Sequence, residues 1–206
     1  MNHFPVRPQG WPFLALTALA ALAFALLGSA ALTVVCLLAA AVLGHIFRDP
    51  ARIQPDDAEL CVAPADGKIT AVQAAPDPFS RETRQMVRVD IGVLDAKVLR
   101  FPVSGKLERL QPTSMDPVSG SLFPMPAFEA EVVGKANQRF VLRASAAPLL
   151  RWLECVAEKG DKLKRSDRLG FAAGYVELFL PDGFEAQVTV GEKVLAGQSV
   201  IAARKI

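Results

Sequence analysis

Two short stretches hold the residues of this chain whose types and spacing could do chemistry. In "LDAKVLR" the carboxylate of Asp95 and the amine of Lys97 stand two residues apart, a pairing suited to an ion pair or to acid–base work. In "RLGFAAGYVELFLP", residues 168–181, a basic lead-in meets a strand-like run across Ala172, Ala173, Gly174 and Tyr175, a turn with almost no chemistry of its own. His3 and His45 are the only histidines, so beyond the N-terminal quarter no imidazole can serve as a base. The cysteines Cys36, Cys61 and Cys155 are odd in number, widely spaced and without a CxxC. They indicate neither a disulfide framework nor a zinc cluster; a reducing setting and no metal are expected.

The elements that must position these residues divide sharply. A chain of 206 residues with 51% hydrophobic content and a mean hydropathy of +0.29 is apolar for a soluble protein. The 23 Lys and Arg against 21 Asp and Glu leave a net charge of +2, too balanced for a protein that holds nucleic acid by bulk charge. From Trp11 to Leu43 there is no charged residue. One helix of that length would run roughly 50 Å, against a hydrocarbon core of about 30 Å. Gly28-Ser29 near the middle splits the run into two arms, so residues 1–46 are expected to form a membrane-anchoring apolar helical hairpin. Arg7 before it and Arg48 and Arg52 after it place both ends on the cytoplasmic side, with the following domain facing the cytoplasm at the inner membrane. The competing reading is a secretory signal peptide ending in "LAAAVLG", but the apolar run is about twice the usual length of such a segment.

Residues 47–206 change character. Runs such as "MVRVDIGVL", "FEAEVV", "RFVLRAS", "YVELFLP" and "EAQVTV" are short, rich in Val, Ile and Phe, and bounded by Gly, Pro and Asp. They predict a β-rich domain, α+β at most, folded as a compact barrel or sandwich. "APLLRWLECVAEKG" reads equally as a helical turn or two or as a strand, while "PDPFSRETRQ" and "QPTSMDPVSGSLFPMP" read as loops. "KGDKLKRSD" and "VGEKVLAGQ" echo each other at a spacing of 31 residues, the pattern of a repeated hairpin turn.

An ordered series of motifs then resembles one family. "FRDP" (47–50), "APADGK" (63–68), "LDAKVLRFPVSGKL" (94–107), "ANQR" (136–139), "EKGDKLKRSDRLGF" (158–171) and "VGEKVLAGQSVIA" (190–202) resemble, in order, elements of the short bacterial and archaeal phosphatidylserine decarboxylases. The resemblance covers residues 47–206 and implies a lyase of phospholipid synthesis that converts phosphatidylserine to phosphatidylethanolamine. It also implies a pyruvoyl cofactor made by self-cleavage at a Gly-Ser bond. In that chemistry a serine hydroxyl attacks the preceding carbonyl, the ester undergoes β-elimination, and the released dehydroalanine hydrolyses to a ketone. A leaving group on Cβ is indispensable. A histidine base oriented by aspartate is implied to start the sequence.

This chain departs from that pattern twice. Its processing turn is two residues short and lacks the Gly-Ser pair, with Tyr175 or Gly174 at the serine position according to where the gap is placed. A tyrosine carries no oxygen on Cβ to eliminate, and glycine has no side chain. Asp95 matches the family aspartate, but Lys97 stands where the histidine belongs and Leu99 where asparagine is usual. No pyruvoyl cofactor is therefore expected in this copy. Gly120-Ser121, the other Gly-Ser pair outside the N-terminal run, reads as an ordinary turn. Lys97 reads first as the ion-pair partner of Asp95 or of a lipid phosphate, since an amine forms no imine with an amine substrate. Arg48, Arg52, Lys68, Arg100 and Lys106 are the headgroup candidates, and a membrane phospholipid is the expected partner, with a second copy or another membrane enzyme beside it. Two functions stay open: decarboxylation by an atypical cofactor route, or aminophospholipid binding without catalysis. A lipoyl-like carrier, suggested by "GEKVLAGQSV", presents no lysine at the tip of a turn.

Overall fold

A computed structural model describes residues 10–48, 52, 55, 60–115, 124–148 and 151–205. The chain falls into two compact units, Met1–Ala51 and Arg52–Ile206.

In the first unit, α1 (Trp11–Leu26) and α2 (Ala30–Ile46) are separated by a tight turn at Gly28, whose φ of +75° is a left-handed conformation that glycine adopts without strain. The rings of Phe13 and Phe47 stack with centroids 5.9 Å apart, which brings the start of α1 to the end of α2. The expected pair of helices with a break at Gly28-Ser29 is thus present. Their outward surface is apolar: Leu16, Leu19, Leu26, Val35 and Leu38 are all exposed. The helices hold 16 and 17 residues, and no helix among the described residues is long and apolar enough to cross a membrane. The expected transmembrane span therefore finds no support in helix length.

The second unit is β-rich, as expected. Its strands are β1 (Leu60–Val62), β2 (Gly67–Pro76), β3 (Thr83–Asp90), β4 (Val98–Arg100), β5 (Gly105–Met115), β6 (Met125–Val133), β7 (Arg139–Ser145), β8 (Leu153–Cys155), β9 (Lys162–Leu163), β10 (Arg168–Ala172), β11 (Tyr175–Phe179), β12 (Phe184–Ala186), β13 (Lys193–Val194) and β14 (Val200–Arg204). They form an eight-stranded sheet in the order β13-β2-β3-β11-β7-β6-β5-β9 and two three-stranded sheets, β1-β14-β12 and β4-β10-β8. "LEC" resolves as the strand β8. "QPTSM", expected as loop, instead continues β5 to Met115, because β6 supplies antiparallel partners as far as the Met115–Met125 pair.

The strand order reads the same from both ends when β2, β3, β11 and β13 are matched with β5, β6, β7 and β9. The smaller sheets match likewise, β1, β14 and β12 with β4, β10 and β8. The sequences agree: Pro64-Ala65-Asp66-Gly67-Lys68 enters β2 as Pro102-Val103-Ser104-Gly105-Lys106 enters β5. Each strand then carries a register shift, between Ile69 and Ala71 and between Leu107 and Arg109. The echo read in the sequence belongs to this duplication. Gly160 (φ +103°) and Gly191 (φ +99°) turn the chain into β9 and β13, and their amides bond to Leu107 O and Ile69 O. Half of the unit, β4–β10, is inserted into the other half, so the chain crosses between the halves at residues 91–97 and again at 173–174.

Alternation along the strands sends Val87, Val89, Leu142, Val176 and Leu178 into one core, closed by Leu99 and Leu169 of the smaller sheets. The opposite face carries a buried charge ladder. Glu177 accepts from Arg88 at 2.5 Å and from Arg143 at 3.3 Å, and Arg143 also reaches Glu129 at 2.8 Å. Glu129 and Glu177 are buried, so each depends on these guanidinium partners. Arg143→Ala should lower stability by about 3 kcal/mol, the low end for breaking a buried pair, because a fifth of the Arg143 side chain remains exposed. Urea unfolding with an unchanged slope would report it, and a loss within a few tenths of a kcal/mol would place the ladder among solvated surface pairs.

Candidate functional site

The two crossings bond to each other. Ile91 N donates to Gly174 O at 2.9 Å and Ala172 N donates to Lys97 O at 3.0 Å. Asp95–Lys97 and Gly174–Tyr175, about 80 residues apart in sequence, are thereby brought together, as the motif reading requires.

Lys97 is fully buried. Its Nζ donates to Gly92 O and, at 3.1 Å, to Val93 O, the carbonyls of the turn that follows β3. Asp95 closes the same turn: its Oδ2 accepts from Gly92 N at 2.8 Å and its amide donates to Gly92 O at 3.1 Å. Burial pushes the Lys97 amine below its ordinary pKa, while the Asp95 and Asp66 carboxylates oppose that shift. Asp66 lies in the "PADGK" turn that enters β2. It is buried, accepts from Ala196 N at 2.7 Å and pairs with Arg52 at 2.6 Å. The available signal was the duplication: the matching residue in the other half is Ser104, whose hydroxyl accepts from Arg165 N at 2.9 Å. A serine suffices for that turn, so a carboxylate in the first copy adds a charge beside Lys97.

The processing turn is tightly enclosed. Gly174 N donates to Ser145 O at 3.1 Å, and a Cβ on Gly174 would lie 2.5 Å from Ala146 O, a backbone atom with little freedom to yield. Tyr175 begins β11 beneath the Arg88 guanidinium, 4.3 Å from the ring centroid. Burial, assisted by the Glu177 carboxylate, holds its phenol above the usual pKa, so it is neutral at physiological pH. These residues do not fit a self-generated pyruvoyl group. Position 174 has no room for a side chain and position 175 has no oxygen on Cβ. Ser145 Oγ lies 3.4 Å from Tyr175 N, but Ser145 belongs to β7, paired on both sides at the middle of the sheet. Gly120-Ser121 lies outside the described residues.

The headgroup candidates disperse. Arg52 is taken by Asp66, Arg100 donates to Ser166 O at 2.9 Å, and Arg48, in the first unit, contacts the His45 ring at 2.8 Å. Lys68 and Lys106 are exposed at matching positions of the two halves, second from opposite ends of the large sheet. Of these two, Lys68 is nearer the crossings, since Asp90, its partner across β2 and β3, also pairs with Tyr175. The cysteines are unpaired, and no cluster able to hold a metal occurs among the described residues.

The family model described as phosphatidylserine decarboxylase matches residues 39–202. The chain belongs to the phosphatidylserine decarboxylase family. Among similar proteins is the phosphatidylserine decarboxylase proenzyme of Oleidesulfovibrio alaskensis, 37% identical over 216 residues that cover 97% of this chain and 94% of the relative. The proenzymes of Nitratidesulfovibrio vulgaris (32% over 206 residues; 96% and 94%) and Beijerinckia indica (31% over 219 residues; 98% and 90%) match comparably. No solved structure matches the chain. The coverage places this family member in phospholipid metabolism along its whole length.

The depressed Lys97 pKa has a definite sign in stability. Between the folded value and the ordinary 10.5, the unfolded chain binds the proton more tightly, so stability rises with pH across that window. Lys97→Met removes this term. Thermal melts of both proteins from neutral pH toward 10.5 should show the difference shifting progressively in favour of wild type, and a pH-independent difference would contradict the assignment.

Proposed function

We propose that this chain is a family member that engages phospholipid at the cytoplasmic face of a membrane without converting itself to the pyruvoyl form. The observation that carries the reading is the enclosed turn at Gly174 and Tyr175, where no side chain can undergo the acyl shift and β-elimination. Lys97 adds to it. An amine committed to two carbonyls is a poor substitute for a mobile imidazole base. Membrane attachment is supported by a helical hairpin without a charge from Trp11 to Leu43 and with large aliphatic side chains turned outward. The lipid engaged would be an aminophospholipid, the chemistry of the family substrate.

Mass spectrometry of the purified chain tests this reading. A single 22.1 kDa species is expected; two fragments, the smaller blocked by a ketone, would overturn it. The geometry adds a further expectation. Neither Gly174→Ser nor Tyr175→Ser alone should start cleavage, and Gly174→Ser should also destabilise the protein by about 1–3 kcal/mol through overpacking against Ala146 O. Lengthening the turn by the two missing residues must accompany the serine. Cleavage in either single variant, read on a denaturing gel, would refute the enclosure argument.

A further inference from the structure

The turn from Gly92 to Asp95 has aliphatic residues at both central positions, Val93 and Leu94, 68% and 60% exposed. Three other turns of this unit are closed in the same way, by a carboxylate accepting from the amide three residues back: Glu158–Asp161, Lys164–Asp167 and Thr189–Glu192. Their central pairs are Lys159-Gly160, Arg165-Ser166 and Val190-Gly191, each with glycine or a polar residue as turn geometry ordinarily prefers. Of these four turns, the one within the first crossing alone exposes two large aliphatic side chains.

Its backbone is prepared to leave water. Gly92 O and Val93 O accept from the Lys97 ammonium, Gly92 O also accepts from Asp95 N, and Gly92 N is held by the Asp95 carboxylate. Moving such a turn into an apolar phase strands few polar groups, whereas open carbonyls would each oppose the transfer. The surroundings are cationic. Lys193, Lys68, Asp90 and Tyr175 form one row across β13, β2, β3 and β11. The first two are exposed lysines directly opposite each other, a like-charge pair that an anionic surface relieves. Leu195, 40% exposed, stands next to Ala196, whose amide binds Asp66.

We propose that the Val93-Leu94 turn is a lipid-inserting prong: its two side chains enter the acyl boundary of an anionic bilayer while Lys68 and Lys193 lie among the phosphates. The turn is rooted in the crossings through Ile91 and Lys97, so insertion sets Gly174 and Tyr175 at headgroup depth. The inference rests on the reading that this chain acts at a phospholipid surface.

The test uses the full chain with a nitroxide on Leu94→Cys, in a Cys36→Ser, Cys155→Ser background where Cys61 is inaccessible in the core. Val93→Cys is the second position should the first variant not fold, and Glu82→Cys on the β2–β3 turn is the aqueous control. The protein is mixed with vesicles of phosphatidylglycerol and phosphatidylethanolamine, with and without phosphatidylserine. Flotation is measured first, then collision of the label with oxygen and with a water-soluble nickel chelate. The oxygen-to-nickel ratio is expected to be several-fold higher at 94 or 93 than at 82. Flotation with a water-like ratio at 94 and 93 overturns the prong alone. Failure to float overturns the prong and the membrane reading together, and an effect of phosphatidylserine on flotation without an effect on depth separates headgroup recognition from insertion.

Discussion

The chain passes between its two halves only at residues 91–97 and 173–174, and each passage must find backbone partners among buried segments. They find them partly in each other, through Ile91 N to Gly174 O and Ala172 N to Lys97 O, while Ala173 N and Gly174 N donate to Trp152 O and Ser145 O. Buried peptide groups left unpaired are costly, so these bonds add to the β11–β7 pairing that joins the inserted half to the half that receives it. The crossings break the alternation of the duplicated strands and are free to carry residues that the repeated pattern does not dictate.

Lys97 shows how such a position is remade. A buried ammonium needs acceptors and nearby negative charge, and the turn at Gly92–Asp95 supplies two carbonyls with Asp95 and Asp66 close by. Lys97 is thereby the internal support of a turn. At Gly174 the neighbouring backbone fills the space in which a side chain would stand. The segments at Lys97 and Gly174 are coupled through the hydrogen bonds between the crossings.

Much of the fold was legible in residue patterns. "MVRVDIGVL", "FEAEVV", "RFVLRAS" and "YVELFLP" became β3, β6, β7 and β11, since alternation with one core-facing side is a local signal. The break at Gly28-Ser29 was legible because a glycine between two apolar runs admits the left-handed turn. "QPTSM" was not, since its proline and polar residues resemble a loop until β6 lies alongside it. Asp66 was not, because a turn aspartate and a carboxylate facing a buried lysine look the same in one dimension. Nor was Lys97 as a turn support: Asp95 suggested an ion pair, whereas the nearer acceptors are main-chain oxygens, which have no residue letter.

The sequence by itself determined the β-rich class, the two apolar helices and the family, because these depend on residue identity and short-range periodicity. The tertiary structure alone decided that the segments at Lys97 and Gly174 touch, that Gly174 has no space for a side chain, that Arg52 is committed to Asp66, and that Val93 and Leu94 face outward from the first crossing. Those facts depend on how segments distant along the chain approach one another, and that approach is set by packing of the whole core and not by any local run of residues.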